Sequence, residues 1–145
     1  MFTVKTILEE KGHEVWTISP EAKVIDALKL MADKNIGALV VLFKDKVTGI
    51  FSERDYARKV VLHGKSSIDT PVKEIMTFKV YIVSPETPVE ECMTLMTQKR
   101  VRHLPVVDHG KLVGLVASGD VVRAMMRKQS NTLESLQNYI KGKYA

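Results

Sequence analysis

The chain repeats itself. Shifted by about 65 residues, Ser19-Pro20-Glu21 falls on Ser84-Pro85-Glu86, Val24 on Val89, Leu30-Met31 on Leu95-Met96 and Lys34 on Lys99. The match runs on without a gap through Leu39 on Leu104, Val41 on Val106, Lys46 on Lys111, Gly49 on Gly114, Asp55 on Asp120 and Arg58 on Arg123. About 40 positions align and roughly a third are identical, which excludes coincidence and points to two like structural units. Upstream, Val4-Lys5-Thr6-Ile7-Leu8 resembles Val72-Lys73-Glu74-Ile75-Met76 once about three extra residues near Gly12-His13-Glu14 are allowed in the first copy.

Each copy predicts the same string of elements. Thr87-Pro88-Val89-Glu90 combines a hydroxyl, a proline at the first helical position and an acid at the third, so a helix starts there. Val89, Cys92, Met93 and Met96 give it one apolar face, and Val24, Ala27, Leu28 and Met31 repeat that stripe. Cys92 is on this reading core filler rather than a nucleophile. Two β-branched runs follow in each copy, residues 36–43 then 47–51, and 101–107 then 112–116. The polar turns Lys44-Asp45-Lys46 and Asp108-His109-Gly110-Lys111 are too short for a crossover, so each pair predicts an antiparallel hairpin. A second helix follows each hairpin, over 52 to about 62 and 118 to about 128. Beyond Ser130-Asn131, Leu133, Leu136 and Ile140 predict a separate short helix ending near Gly142.

The expected division is a first repeat over 1–62, a linker over 63–71, a second repeat over 72–128 and a tail over 129–145. A strand-helix-strand-strand-helix unit of about 55 residues buries too little to be stable alone, so the two must associate. With 45% hydrophobic and 27% charged residues, the composition is that of a folded globular chain. One cysteine excludes an internal disulfide and suits a reducing compartment. The first residues lack an apolar signal core, and the longest nearly apolar run, 36–43, is far short of the roughly 20 residues a membrane span needs. A cytoplasmic location is expected, with no membrane partner.

The segments Ile36-Gly37-Ala38-Leu39-Val40-Val41 with Gly49-Ile50-Phe51-Ser52-Glu53-Arg54-Asp55, and Arg102-His103-Leu104-Pro105-Val106-Val107 with Gly114-Leu115-Val116-Ala117-Ser118-Gly119-Asp120, resemble the two halves of a tandem cystathionine-β-synthase (CBS) domain pair, or Bateman module. The resemblance covers nearly the whole chain and is nearest to the small stand-alone bacterial members. It implies an α/β (α+β) fold in which two β-α-β-β-α units pack about a pseudo-two-fold axis. It also implies a regulatory module that binds AMP, ADP, ATP, NAD(H) or, less readily, S-adenosylmethionine between the repeats, forms a homodimer, and signals to a regulated protein partner.

The residues support that expectation on their own chemistry. A strand ending at Ser52 and turning into a helix offers backbone N–H groups to an anion, and Asp55 offers a carboxylate to both hydroxyls of a ribose. Ser52-x-x-Asp55 is equally a helix capping box that needs no ligand. The second copy keeps Asp120 but has Ala117 in place of the cap hydroxyl, with Ser118 as a substitute one place on. Unequal sites are therefore expected. Gly37 and Ala38 are small where the second copy has Arg102 and His103. Arg54, Arg102 and His103 are accordingly read as a phosphate end, and Ile36, Gly37 and Ala38 with Val15, Thr17 and Ile18 of residues 15–18 as a base end. An ordinary charged strand end is the alternative for Arg102-His103. Pro105 and Ser118 complete the candidate set through the motif resemblance.

No nucleophile motif, metal-ligand spacing among the four histidines, or glycine-rich phosphate loop is present, so neither catalysis nor a bound metal is expected. The net charge of +5 leaves a second reading open, a structural or interaction protein with vestigial clefts that uses its basic clusters, Lys99 with Arg100 and Arg102, Arg54 with Arg58 and Lys59, and Arg123 with Arg127 and Lys128, on nucleic acid.

Overall fold

A computed structural model describes residues 2–140. The first half runs α1 (Val4–Lys11), β1 (Thr17–Ile18), α2 (Val24–Lys34), β2 (Ala38–Phe43), β3 (Lys46–Ser52) and α3 (Glu53–Asp55), which widens at once into a π-helix over Tyr56–Val61. A 3₁₀ turn over Val72–Glu74 opens the second half, followed by α4 (Val89–Lys99), β4 (His103–Asp108), β5 (Lys111–Ala117) and α5 (Ser118–Ile140).

The predicted stripes are the buried faces. Val24, Ala27 and Met31 of α2 are buried, as are Val89, Cys92 and Met96 of α4. Burial, with the Glu91 charge, pushes the Cys92 thiol up to about 11, as suits a core side chain. Both hairpins form. β2 pairs antiparallel with β3 and β4 with β5, and the ladders shift register at equivalent places, between Val41 and Leu42 and between Val106 and Val107. The connecting pairs Lys44-Asp45 and His109-Gly110 all have positive φ, the two-residue geometry that matches strand twist. β1 runs parallel to β2, and its counterpart in the second half is a single parallel bridge from Val83 to Val106.

Two expectations are corrected. The Thr87 hydroxyl does not cap α4. Pro88, with ψ at 146°, is still extended and serves as N-cap, and Thr87 Oγ1 instead accepts from the Ser84 N–H at 3.0 Å. Nor is there a break at Ser130-Asn131. α5 is one helix from Ser118 to Ile140, because serine and asparagine are weak helix formers but not breakers. Gly142 lies outside the described residues.

The two halves exchange their leading segments. Val4, Ile7 and Leu8 of α1 belong to the core of the second half, with Val89, Leu104, Val116 and Val121. Val72 and Ile75 belong to the core of the first, with Leu39, Phe51 and Val60. The backbone bonds that dock them are the same bonds twice: Val4 N–H to Thr87 O and Lys5 N–H to Pro85 O, against Val72 N–H to Ala22 O and Lys73 N–H to Pro20 O. Each exchanged segment lies over a hairpin glycine. A Cβ on Gly114 would come within 2.7 Å of the Leu8 side chain, and one on Gly49 within 2.6 Å of Met76 Sδ and 3.0 Å of Thr77 O. The repeats are thus joined by mutual exchange, which is how two undersized units complete their cores.

Candidate ligand cleft

A cavity of about 550 Å³ opens between the halves. Gly37, Ile50 and the turn Ser52, Glu53, Arg54 and Asp55 form its first wall, with Arg58 one turn on. The opposite wall is the α4–β4 turn, Arg100, Val101, Arg102 and His103, and the connecting segment between the halves closes it with Thr77, Lys79, Val80 and Tyr81. Every wall follows from the fold. β3 ends at Ser52, the αL residue Arg100 (φ 54°) ends α4 and aims the chain into β4, and the Ile50–Thr77 bridge pins the connection against β3.

Asp55 sits low in this cleft, 7% exposed. Its Oδ2 accepts from Ser52 N–H and from Ser52 Oγ, both at 3.0 Å, while Ser52 Oγ accepts in turn from Asp55 N–H at 3.2 Å. The capping box is therefore real. Asp55 Oδ1 accepts from Thr77 Oγ1 at 2.9 Å and faces Lys59 Nζ at 3.1 Å. With Glu53 N–H bonded to Gly37 O, the N–H groups expected to be free for an anion are mostly satisfied within the chain. Asp55, Thr77 and the guanidinium groups are the chemistry this cleft offers, rather than a bare helix end.

Asp120 repeats half of that arrangement. Its Oδ2 accepts from Ala117 N–H at 2.8 Å, keeping the acid's share of the box after the hydroxyl is gone. In place of the serine and threonine hydroxyls stand Lys11 Nζ, 2.8 Å from Oδ2, and Arg123 Nη2, 2.7 Å from Oδ1. Burial works to raise the Asp120 carboxyl, but the hydrogen bonds from Lys11 and Ala117 and the charges of Lys11 and Arg123 outweigh it and hold the group below its ordinary value. The cavity beside Asp120, about 500 Å³, is lined by α1 and α5, including Ile7, Glu10, Ala124 and Met126.

Of the residues expected to bind, Gly37, Ser52, Arg54, Asp55, Arg102 and His103 line the Asp55 cleft together. The expected base end does not join them. Ile36 and Ile18 pack against the first core, Ala38 is buried in the β2–β3 ladder opposite Ser52, Thr17 pairs with Val40, and Val15 lies outside the lining. Pro105 is buried, with its carbonyl accepting from Val83 N–H. Ser118 begins α5 and donates its N–H to Arg102 O rather than opening onto this cleft, and Asp120 belongs to the other cavity. The apolar surface is supplied instead by Ile50, Val80, Tyr81 and Val101. Thr77, Lys79, Tyr81 and Arg100 carry no motif, and only the cluster Lys99, Arg100, Arg102 signalled the last of them.

His103 faces both cavities electrostatically. Burial, then the Lys11 charge, pushes its imidazole below the ordinary value; Arg102 adds to this and Asp120 opposes it.

The model of the CBS domain matches residues 4–62 and 72–127. The chain belongs to the CBS domain family. As a CBS domain pair it is 40% identical over 152 residues to the mitochondrial CBS domain-containing protein CBSX3 of Arabidopsis thaliana, covering 98% of this chain and 73% of that one. A CBS-domain protein structure from Burkholderia ambifaria is 50% identical, with a TM-score of 0.83 and coverage of 88% of this chain and 96% of that one. The CBS domain pair of protein MJ0100, solved in complex with 5′-methylthioadenosine and S-adenosyl-L-methionine, is 27% identical with a TM-score of 0.77 and covers 88% of this chain and 98% of its own. CBS pairs are regulatory modules, and some relatives bind adenosyl ligands. Among the described residues, no helix of this CBS pair is long and apolar enough to cross a membrane.

Proposed function

We propose that this CBS pair senses an adenosyl nucleotide, of the AMP, ADP, ATP or NAD(H) class, in the Asp55 cleft and reports its presence to a protein partner. The observation that carries the reading is the position of a nearly buried carboxylate from one repeat opposite guanidinium groups from the other, across a cavity of nucleotide size. The ribose hydroxyls would bond Asp55 Oδ1 in place of the Thr77 hydroxyl, the base would lie against Ile50, Val80 and Tyr81, and the phosphates would meet Arg54 and Arg102. Such a ligand bridges the halves, so its binding energy acts on their relative position. Its work is binding rather than catalysis, in a cytoplasmic setting.

The signal would leave through a homodimer. Val122 and Met126 are exposed one turn apart on α5, and Val61 and Leu62 are exposed at the end of the π-helix, giving an apolar surface for a second copy. The nucleic-acid reading loses one of its clusters, because Arg123 pairs with Asp120, Arg127 with Glu10 and Lys128 with Glu90.

Thermal unfolding with AMP, ATP, NAD(H) and S-adenosylmethionine tests the reading. A ligand at about 100 times its dissociation constant adds roughly 2.7 kcal/mol to the native state. If none of these compounds raises the melting temperature, the sensor reading fails.

A further inference from the structure

Five cations line the Asp55 cleft: Arg54 and Arg58 from the first repeat, Lys79 from the connection, and Arg100 and Arg102 from the second repeat. Two carboxylates, Glu53 and Asp55, line it with them. Among the described residues none of the five cations makes a side-chain ion pair or hydrogen bond, whereas Lys11, Lys59, Lys73, Arg123, Arg127 and Lys128 elsewhere are each matched to a carboxylate. The one acid buried in the cleft already has Lys59 against it. Unpaired cations from both repeats and from the connection thus face one shared open space.

Arg100 adds an independent observation. It is the C-cap of α4 and sits in the left-handed region at φ 54°, a conformation that favours glycine or asparagine. The first repeat obeys that preference, with Asn35 at φ 55° ending α2 in the same place. The second repeat accepts backbone strain to carry a guanidinium there, and that residue lines the cleft. Strain of this kind, held where a charged group meets a cavity, is a signature of function.

Building on the adenosyl reading, we propose that the cleft selects nucleotides by a polyphosphate chain, a di- or triphosphate in preference to a monophosphate or a sulfonium nucleoside, and that Arg100 is the residue that makes the distinction. A monophosphate is satisfied by one or two guanidinium groups, while a triphosphate engages all five cations. The positively charged sulfonium of S-adenosylmethionine meets only repulsion from them.

Calorimetric titration of the full chain with ATP, AMP and S-adenosylmethionine in magnesium-free buffer tests this, using wild type and Arg100→Asn. ATP should bind at least about ten-fold more tightly than AMP, and S-adenosylmethionine most weakly. Arg100→Asn, which installs the residue the first repeat already uses, should leave the melting temperature unchanged or higher while weakening ATP by about ten-fold and AMP much less. Equal affinities for ATP and AMP, or an unchanged ATP affinity in the variant, overturn the polyphosphate assignment and leave the adenosyl reading standing. If none of the three compounds binds, the polyphosphate assignment is overturned, and if NAD(H) does not bind either, the adenosyl reading falls with it.

Discussion

Lys11 Nζ lies 2.8 Å from Asp120 Oδ2, a contact between residues 109 positions apart that ties the exchanged helix α1 to the acid of the second repeat. The same ammonium donates to Leu115 O at 2.8 Å. In the first repeat the corresponding acid receives a hydroxyl, Thr77 Oγ1, from the equivalent exchanged segment. The exchanged segment thus meets the acid with a neutral hydroxyl in one copy, beside the Lys59 ammonium from the acid's own helix, and with an ammonium in the other, beside Arg123.

Replacing Lys11 by methionine keeps the stem and removes the charge. Asp120 is only 8% exposed, and losing its partner should cost about 1–3 kcal/mol in urea unfolding. The variant should also lose part of its acid sensitivity. The folded Asp120 carboxyl lies below its unfolded value of 3.8, so its contribution is complete above that pH and disappears as the pH falls below it. Stability measured from pH 6 down to 2 should fall less steeply in Lys11→Met than in wild type, and parallel curves would show that Lys11 does not set the titration.

His103, like Asp120, favours its deprotonated form in the fold, but here that form is the neutral one. Its folded value is depressed below 6.5, so near neutral pH the native state holds the neutral ring and makes no demand on stability. As pH falls through 6.5 the unfolded chain takes up the proton first, and stability drops until the folded ring protonates as well. A bound phosphate beside His103 reverses the burial effect by stabilising imidazolium. The ring-proton chemical shifts should titrate below 6.5 in the free protein and at higher pH with nucleotide present. Identical titration curves would place the phosphates elsewhere.

The exchange of α1 and the Val72–Glu74 turn makes the halves interdependent. A fragment of residues 1–66 lacks Val72 and Ile75 from its core and leaves Val4, Ile7 and Leu8 without one. It should show little native circular dichroism alone and regain it on mixing with residues 67–145. A fragment that folds alone with a cooperative transition would contradict the exchanged arrangement.

Much of this was legible in the sequence, for reasons that also mark the boundary. Gly49 and Gly114, Asp55 and Asp120, and the two hairpins declared themselves because a repeat prints every structural constraint twice. The repeat matched Val4, Ile7 and Leu8 to Val72, Ile75 and Met76, but a matched apolar segment does not say which core will receive it, so the exchange was invisible. Arg102 and His103 were found because they break the repeat where Gly37 and Ala38 stand. Tyr81 and Lys79 were missed because they lie on a connection with no pattern of its own, and their place in the cleft is set by the Ile50–Thr77 bridge. The base end was misplaced for the same reason. Small residues suggested space at Ala38, whereas the ladder to Ser52 had already filled it.

The central claim is that Asp55 is a ligand residue and more than a cap. Titration of wild type and Asp55→Ala with ATP, followed by urea unfolding of both without ligand, tests it most directly. The account predicts that wild type binds and the variant does not, while the variant's apo stability falls by only about 0.5–2 kcal/mol, the worth of a helix cap. Undiminished ATP affinity in a folded Asp55→Ala would contradict it and leave the capping box as the whole role of that residue.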